Sequence, residues 1–535
     1  MAIADAEPPL VLAIDIGSSS ARVVLYDGRG RAVDGVVAQE QYAIHTTADG
    51  AAEDDPDAAL ARVARCVDAA LRLAGPLASR IGAVAVDTLA TTTMAIDAAG
   101  RPLTPLITYA DTRNAADADA LRQSLDERAV HDRTGCMLRT SYWPARLAWL
   151  RRTRPEVWRS AARWISVGEY LELRLFGQCR ASYSVASWGG LLDRRRLAWD
   201  APLLDQLGLA PDHLAPLVDV DEPLQGLVEL YAARWPALRA VPWFPAVGDG
   251  AAANVGSGCS SPSRMALTIG TTGAMRVVIP AAGRGKERRS AGDQEIDSGE
   301  GSLSPRPLVS PERVPAGLWC YRVDRQHALL GGATSEGGNV YAWLRQTLRL
   351  GDAAEVEAAL AACPPDGHGL TVLPFVAGER SPDWAGNVQA TLHGLTLATT
   401  PIAILRASLE AVAYRFALIF ERLGASDLGL VAGASSPRPQ SSHIVASGSG
   451  LLHSPAWMQI FADVLGRPVV TSAVPEATSR GAAVLALRAL GALPSLEAAQ
   501  VADGPAYAPD DARHAIYHDA IARQRWLYGR LIATS

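Results

Sequence analysis

The chain has 535 residues, 49% hydrophobic and 20% charged, which is too long for one ordinary domain and ample for a packed core. A net charge of −6 leaves no basic face for nucleic acid, and an anionic substrate must rely on local cations or helix N-termini. The six scattered cysteines show no C-x-x-C pair, so neither a disulfide framework nor a zinc site is expected. No window of 18 apolar residues and no basic leader is present, so the expectation is a cytoplasmic enzyme without a signal peptide or membrane span.

Residues 10–17 form a short apolar strand that ends in Asp15 and Gly17. The hydroxyl cluster Ser18-Ser19-Ser20 follows, then a strand Ala21–Tyr26 that carries Arg22, a Gly-rich turn, and a third strand near Arg31–Gln39. Such a hairpin tip offers backbone N–H groups and hydroxyls to a phosphate, with Asp15 placed to hold a metal ion; an ordinary tight turn reads equally well on this segment alone. No G-x-x-x-x-G-K-[ST] loop occurs, and the fragment Gly283-Arg284-Gly285-Lys286 lacks its first glycine.

Acids at Glu53–Asp57 open an amphipathic helix over Pro56–Ala74. A strand Ile81–Val86 ends in Asp87-Thr88 and leads into a Thr-rich loop that contains Thr91. In Tyr109-Ala110-Asp111-Thr112-Arg113 an aromatic, an acid and an arginine could grip a polyol, or Asp111 and Arg113 simply pair at a helix start. Residues 134–200 read as helical and aromatic-rich, with Tyr142 in the run Ser141-Tyr142-Trp143-Pro144.

The stretch Gly248-Asp249-Gly250, after the apolar run Val241–Val247, puts one carboxylate where a strand turns into a small-residue helix. Open α/β sheets bind their ligands at that place, although Asp is also a favoured helix N-cap. A second copy of the first hairpin follows: strand Arg264–Ile269, tip Gly270-Thr271-Thr272-Gly273, and returning strand Ala274–Ile279. Two such hairpins predict two similar domains that face each other over a nucleotide. We place them at 9–259 and 260–535, with an aperiodic Gly/Ser/Pro-rich insertion near 281–315 and a smaller one over Gly433–Ser442. Farther on come a helix Asn339–Leu350, a long amphipathic helix near Thr400–Leu423, a strand His443–Ala446, the turn Ser447-Gly448-Ser449-Gly450, and a helix from His453.

Taken together these segments resemble the FGGY carbohydrate kinases. The resemblance rests on Asp15-Ile16-Gly17-Ser18-Ser19-Ser20-Ala21-Arg22, Gly248-Asp249-Gly250 and Thr268-Ile269-Gly270-Thr271-Thr272-Gly273. It continues through Gly378-Glu379-Arg380-Ser381-Pro382, His393-Gly394-Leu395 and Arg406–Glu410 to Trp457–Gly466 and Glu476–Ala483. It implies an α/β fold of two actin-like (ribonuclease-H-like) ATPase domains with a nucleotide and sugar cleft between them. It also implies ATP and Mg²⁺, with Asp249 as the general base and Asp15 and Asp249 near the metal. Gly17, Ser18, Ser19, Ser20 and Arg22 would lie on the phosphates with Gly270, Thr271, Thr272 and Gly273. Ser449, Gly450 and Ser454 would lie by the adenosine, and Thr88, Thr91, Asp111, Arg113, Tyr142 and Asp249 by the sugar.

Gluconokinase-type members look most similar, on Thr108–Arg113, Ser141–Ala145 and Tyr183–Ser187 followed by Leu192-Asp193. Where many members show Met-His in the sugar loop, Ala90-Thr91 stands here, and Ser-Gly-Ser-Gly replaces the common Gly-Gly-Gly of the adenosine turn. A pentulose kinase of the xylulokinase or ribulokinase kind is the alternative, and a catalytically silent nucleotide-binding module a second. The presence of Asp249 favours an enzyme. A sugar or sugar acid and ATP are the expected partners, with a homodimer as one possible assembly.

Overall fold

The computed structural model describes residues 5–281, 313–424, 443–499 and 501–532. Gly433–Ser442 and nearly all of the 281–315 segment lie outside the described residues.

The largely apolar runs Leu10–Ile16 and Ser20–Tyr26 form an antiparallel hairpin, in which Asp15 lies opposite Arg22. Ala32–Gln41 continues the meander on one side, and on the other Ile81–Thr88 and then Val247–Gly248 add in parallel. The sheet order is therefore Val247–Gly248, Ile81–Thr88, Leu10–Ile16, Ser20–Tyr26, Ala32–Gln41. The parallel strands are buried on both faces, as such strands usually are. The helix Pro56–Ala74 covers this sheet; Asp55 caps it by accepting the Ala58 N–H, and Val63, Val67 and Ala70 are among its core residues.

The second sheet repeats this plan and extends it. Arg264–Ile269 is its centre, Gly273–Pro280 and His327–Thr334 form the meander, and His443–Ser447 and Val469–Ser472 add in parallel. Trp319–Arg322 and Asp503–Tyr507 close its two edges. The buried helix Pro401–Gly424 begins and ends within a residue of the sequence expectation. In its centre Glu410 accepts from Arg406, Tyr414, Tyr517 and His368, a fully satisfied network of the kind a buried charge needs. The helix expected over Asn339–Leu350 spans Gly338–Thr347. The one expected from His453 starts at Pro455, because Ser454 is its cap.

The two halves meet at a helix crossing. Asp249–Gly256 packs on Ala477–Ala489, the helix that follows the corresponding strand of the second sheet. A Cβ on Gly256 would overlap the Ala477 carbonyl, and one on Gly481 would overlap the Ala252 carbonyl. Only glycine permits so close an approach. Arg480 donates to the carbonyls of Gly30 and Gly256, tying both halves together again.

Candidate active site

Three parallel strands bring three carboxylates to one end of the first sheet. Asp15 and Asp87 are register partners on adjacent strands. Val247 pairs with Asp87 and Gly248 with Thr88, so the chain turns into its helix at Asp249, two residues beyond the Asp15–Asp87 row. The N-cap position falls on Gly248, without a side-chain bond, and Asp249 is the first helical residue. Its Oδ1 accepts the Gly250 N–H at 2.7 Å. Burial pushes the Asp249 carboxyl up to about 6, against the pull of the Gly250 N–H, the Arg276 guanidinium and the Ala90 N–H. Burial also raises Asp15. Asp87 is fully buried, and burial together with the negative charges of Asp15 and Asp249 holds it well above the ordinary carboxylate range. Neither of its oxygens meets a hydrogen-bond donor. Arg22, opposite Asp15, is ion-paired with Glu476 of the second half.

Beside these acids the first hairpin tip is open. Gly17 N–H bonds to the Ser20 carbonyl at 3.0 Å, and Ser18 and Ser19 are exposed. Across from it, three glycine turns of the second sheet pack backbone to backbone. Gly270 N–H bonds to Thr272 O at 3.0 Å, Gly338 N–H to Gly270 O at 2.8 Å, and Asn339 N–H to Thr271 O at 3.0 Å. A Cβ on Gly450 would lie 3.0 Å from Gly270 O, and Gly448 has φ +89° with its Cβ position blocked by Ile269 O. Thr271, Thr272 and Ser449 are left exposed, while Gly273 is buried under Phe416. Ser454 stands apart from them in role: it donates to Glu357 at 2.8 Å and caps the next helix, so its hydroxyl is engaged within the fold.

The expected sugar residues fall into two groups. Thr88 ends its strand, buried, and Thr91 sits at φ +60° with its hydroxyl unpartnered. Positive φ on a β-branched residue costs about 1–3 kcal/mol and persists only where surroundings enforce it. Here Arg146, fully buried, donates to Thr91 O and to Thr93 Oγ1, and Ala90 of the same loop faces Asp249. Asp111 and Arg113 are partnered within the fold. Arg113 pairs with Asp111 and Glu53 and lies 4.6 Å over the Trp149 ring, and Asp111 accepts the Ala52 N–H at 3.2 Å. Arg146 and this pair sense each other's charge, which links the Asp111–Arg113 loop to Thr91. Tyr142 is buried, its hydroxyl 2.5 Å from that of Tyr321.

Three residues of this region carry no sequence signal that singles them out. Trp188 stacks on Tyr321 with centroids 4.0 Å apart and also lies against Trp319. A Cβ on Gly248 would come 2.7 Å from its Nε1, and one on Gly250 2.6 Å from its ring, so both glycines beside Asp249 make room for this indole. Arg276, on the second sheet, reaches back to Gly250 O at 3.1 Å and to Thr268 Oγ1 at 3.1 Å. Asp87 is the third; in sequence it is only the polar end of a buried strand.

Comparison with known proteins agrees with this architecture. The model of the FGGY family of carbohydrate kinases, N-terminal domain, matches residues 10–256, and that of the C-terminal domain matches residues 302–490. The chain is 28% identical to a gluconokinase of Bacillus subtilis, covering 97% of this chain and 94% of that protein. It is 31% identical to a glycerol kinase of Aromatoleum aromaticum over 91% of each. Its fold is similar to that of a xylulose kinase from Lactobacillus acidophilus, with a TM-score of 0.83 at 23% identity and 98% of both chains covered. Two sheets of one plan, a carboxylate between glycines at the strand ends and these matches over both halves lead to one conclusion: the chain belongs to the FGGY family of carbohydrate kinases.

Proposed function

We propose that this kinase phosphorylates a sugar acid, gluconate, with Asp249 as the general base. The observation that carries the mechanism is the Asp249 carboxylate itself, half-buried at a strand end and raised to about 6, which suits a group that must take a proton near neutrality. The acceptor hydroxyl gives its proton to Asp249 as its oxygen attacks the γ-phosphorus, and ADP leaves with the bridging oxygen. Phosphoryl transfer asks little more of the protein than alignment and charge compensation. Gly17–Ser20 and Arg22 on one side and Gly270–Gly273 on the other would hold the phosphates, with Ser449 and Gly450 toward the nucleoside. Ser454 would act there only by capping its helix.

Asp15, with Asp249 close by, would hold Mg²⁺; the hard carboxylate oxygens at this sheet end fit such an ion. When bound, the ion neutralises charge on the phosphate oxygens. Thr88, Thr91, the Asp111–Arg113 loop and Tyr142 would shape the sugar pocket. The buried Arg146 beneath Thr91 supplies a positive charge that favours an acid over a neutral pentulose, in keeping with the gluconokinase relative. The domains, 9–259 for sugar and 260–535 for nucleotide, would close on the substrates and keep water from the γ-phosphate.

A coupled ADP-release assay with Mg·ATP over gluconate, xylulose, ribulose, ribitol, glycerol and fuculose tests this reading. Gluconate is expected to give the highest kcat/KM. A tenfold advantage for any other acceptor would overturn the substrate, and sugar-dependent turnover that persists in Asp249→Asn would overturn the mechanism.

A further inference from the structure

Asp87 has no structural employment. Its carboxylate is fully buried, neither oxygen has a donor, and its register partner is another acid, Asp15. An isolated buried carboxylate costs several kcal/mol, and two adjacent ones either share a proton or need a cation before both can ionise. A structural acid would be met by an arginine or by backbone N–H groups, as Glu410 is met elsewhere in this molecule. Among the described residues Asp87 receives no such bond: the Arg22 guanidinium acts on it through space but is ion-paired with Glu476. The sheet end it shares with Asp15 and Asp249 is also where the ATP phosphates would have to meet a metal.

We propose that Asp87 is a second carboxylate ligand, with Asp15, of the divalent cation that accompanies the nucleotide. The inference rests on the kinase reading above and extends it to a residue that reading does not use. It is drawn from the unpartnered buried side chain, not from the crowding of acids alone. A magnesium-sized ion commonly takes one or two protein carboxylates and completes its shell with phosphate oxygens and water. Two aspartates supplied by neighbouring strands fit that demand, and the cation would satisfy oxygens the fold leaves bare.

The test is Mn²⁺ binding to the full chain with ADP present and no sugar, read from the loss of the free-ion electron paramagnetic resonance signal. Wild type should take up one Mn²⁺ beyond what ADP binds by itself. Asp87→Ser should weaken that uptake at least tenfold, leave ADP binding in the absence of metal unchanged, and lose the metal-induced rise in melting temperature. Without metal, Asp87→Ser should melt above wild type, because a bare buried acid has been removed. Asp87→Asn, close in shape, serves if the serine chain does not fold. Wild-type Mn²⁺ affinity in either variant, or no uptake by wild type beyond free ADP, overturns the assignment and leaves a proton shared with Asp15. Since no acceptor sugar enters this measurement, its failure is distinct from a failure of the substrate panel.

Discussion

The five strands of the first sheet recur in the same order within the seven of the second, and the two sheets differ in what their strand ends carry. In the first, the central strand and its parallel neighbour present Asp15 and Asp87 at one register position. In the second, the corresponding pair is Thr268 and Ser447, whose hydroxyls lie 3.0 Å apart and bond to each other. The following helix begins with Asp249 in the first half, and its counterpart begins with Ala477 in the second. One topology has thus been given an end where three aspartates gather and an end where hydroxyls and glycine turns gather. Polyphosphate can approach neutral hydroxyls and glycine N–H groups directly, but it needs a cation before it approaches clustered carboxylates. On the proposed function, the division of labour between sugar-side chemistry and nucleotide binding rests on a few side chains over a repeated backbone.

The strongest way to break the contrast is to remove the charge that the second half lacks. Asp249→Asn should lower kcat by about 10²–10⁴, the range for losing a general base. ATP binding by calorimetry should stay within a factor of about three, because the glycine turns of the second sheet are untouched. Next in size is the joint between the halves. Gly481→Ala drives a methyl into the Ala252 carbonyl, and overpacking of this sort costs about 1–3 kcal/mol. Thermal or urea unfolding should show that loss. An unchanged midpoint would mean that the helices slide apart without cost and that the crossing does not tie the two halves.

Much of this architecture was legible in the sequence. The hairpins with their Gly/Ser and Gly/Thr tips, the helix Pro56–Ala74 and the turn at Asp249 all announce themselves through short-range patterns, and all three form as read. What stayed hidden depends on distance along the chain. Asp87 gains its meaning only from register with Asp15, and Trp188 only from stacking on Tyr321, far along the chain. Arg276 looks like any polar residue on a strand until it is seen reaching Gly250. Ser454 shows the opposite case. Its position in a family pattern points to the nucleoside, yet its hydroxyl is engaged by Glu357 and by its own helix.

Two smaller perturbations sharpen the comparison from the second sheet. Ser447→Asp gives that sheet the acid its counterpart has, only partly offset by the Arg276 guanidinium that donates to Thr268. ATP affinity should fall about tenfold, some 1.4 kcal/mol, by repulsion between like charges. A still smaller effect isolates the link between the sheets. As the proposed base, Asp249 must be ionised to accept a proton, so kcat/KM should fall as pH drops through about 6. The Arg276 guanidinium pulls that value down, so Arg276→Gln should move the acid limb of the profile to higher pH.

Stability should run the other way. A carboxyl held more tightly protonated in the folded chain than its ordinary value of 3.8 favours folding fully below that value and loses this contribution as pH rises through about 6. Over pH 4–6 the Asp249 contribution therefore makes the chain harder to unfold while it becomes less active. In Asp249→Asn that contribution to the pH dependence of unfolding should disappear. If the melting temperature of Asp249→Asn tracks pH just as wild type does, the raised carboxyl belongs to another member of the acid row, and the limb of the rate profile must be reassigned with it.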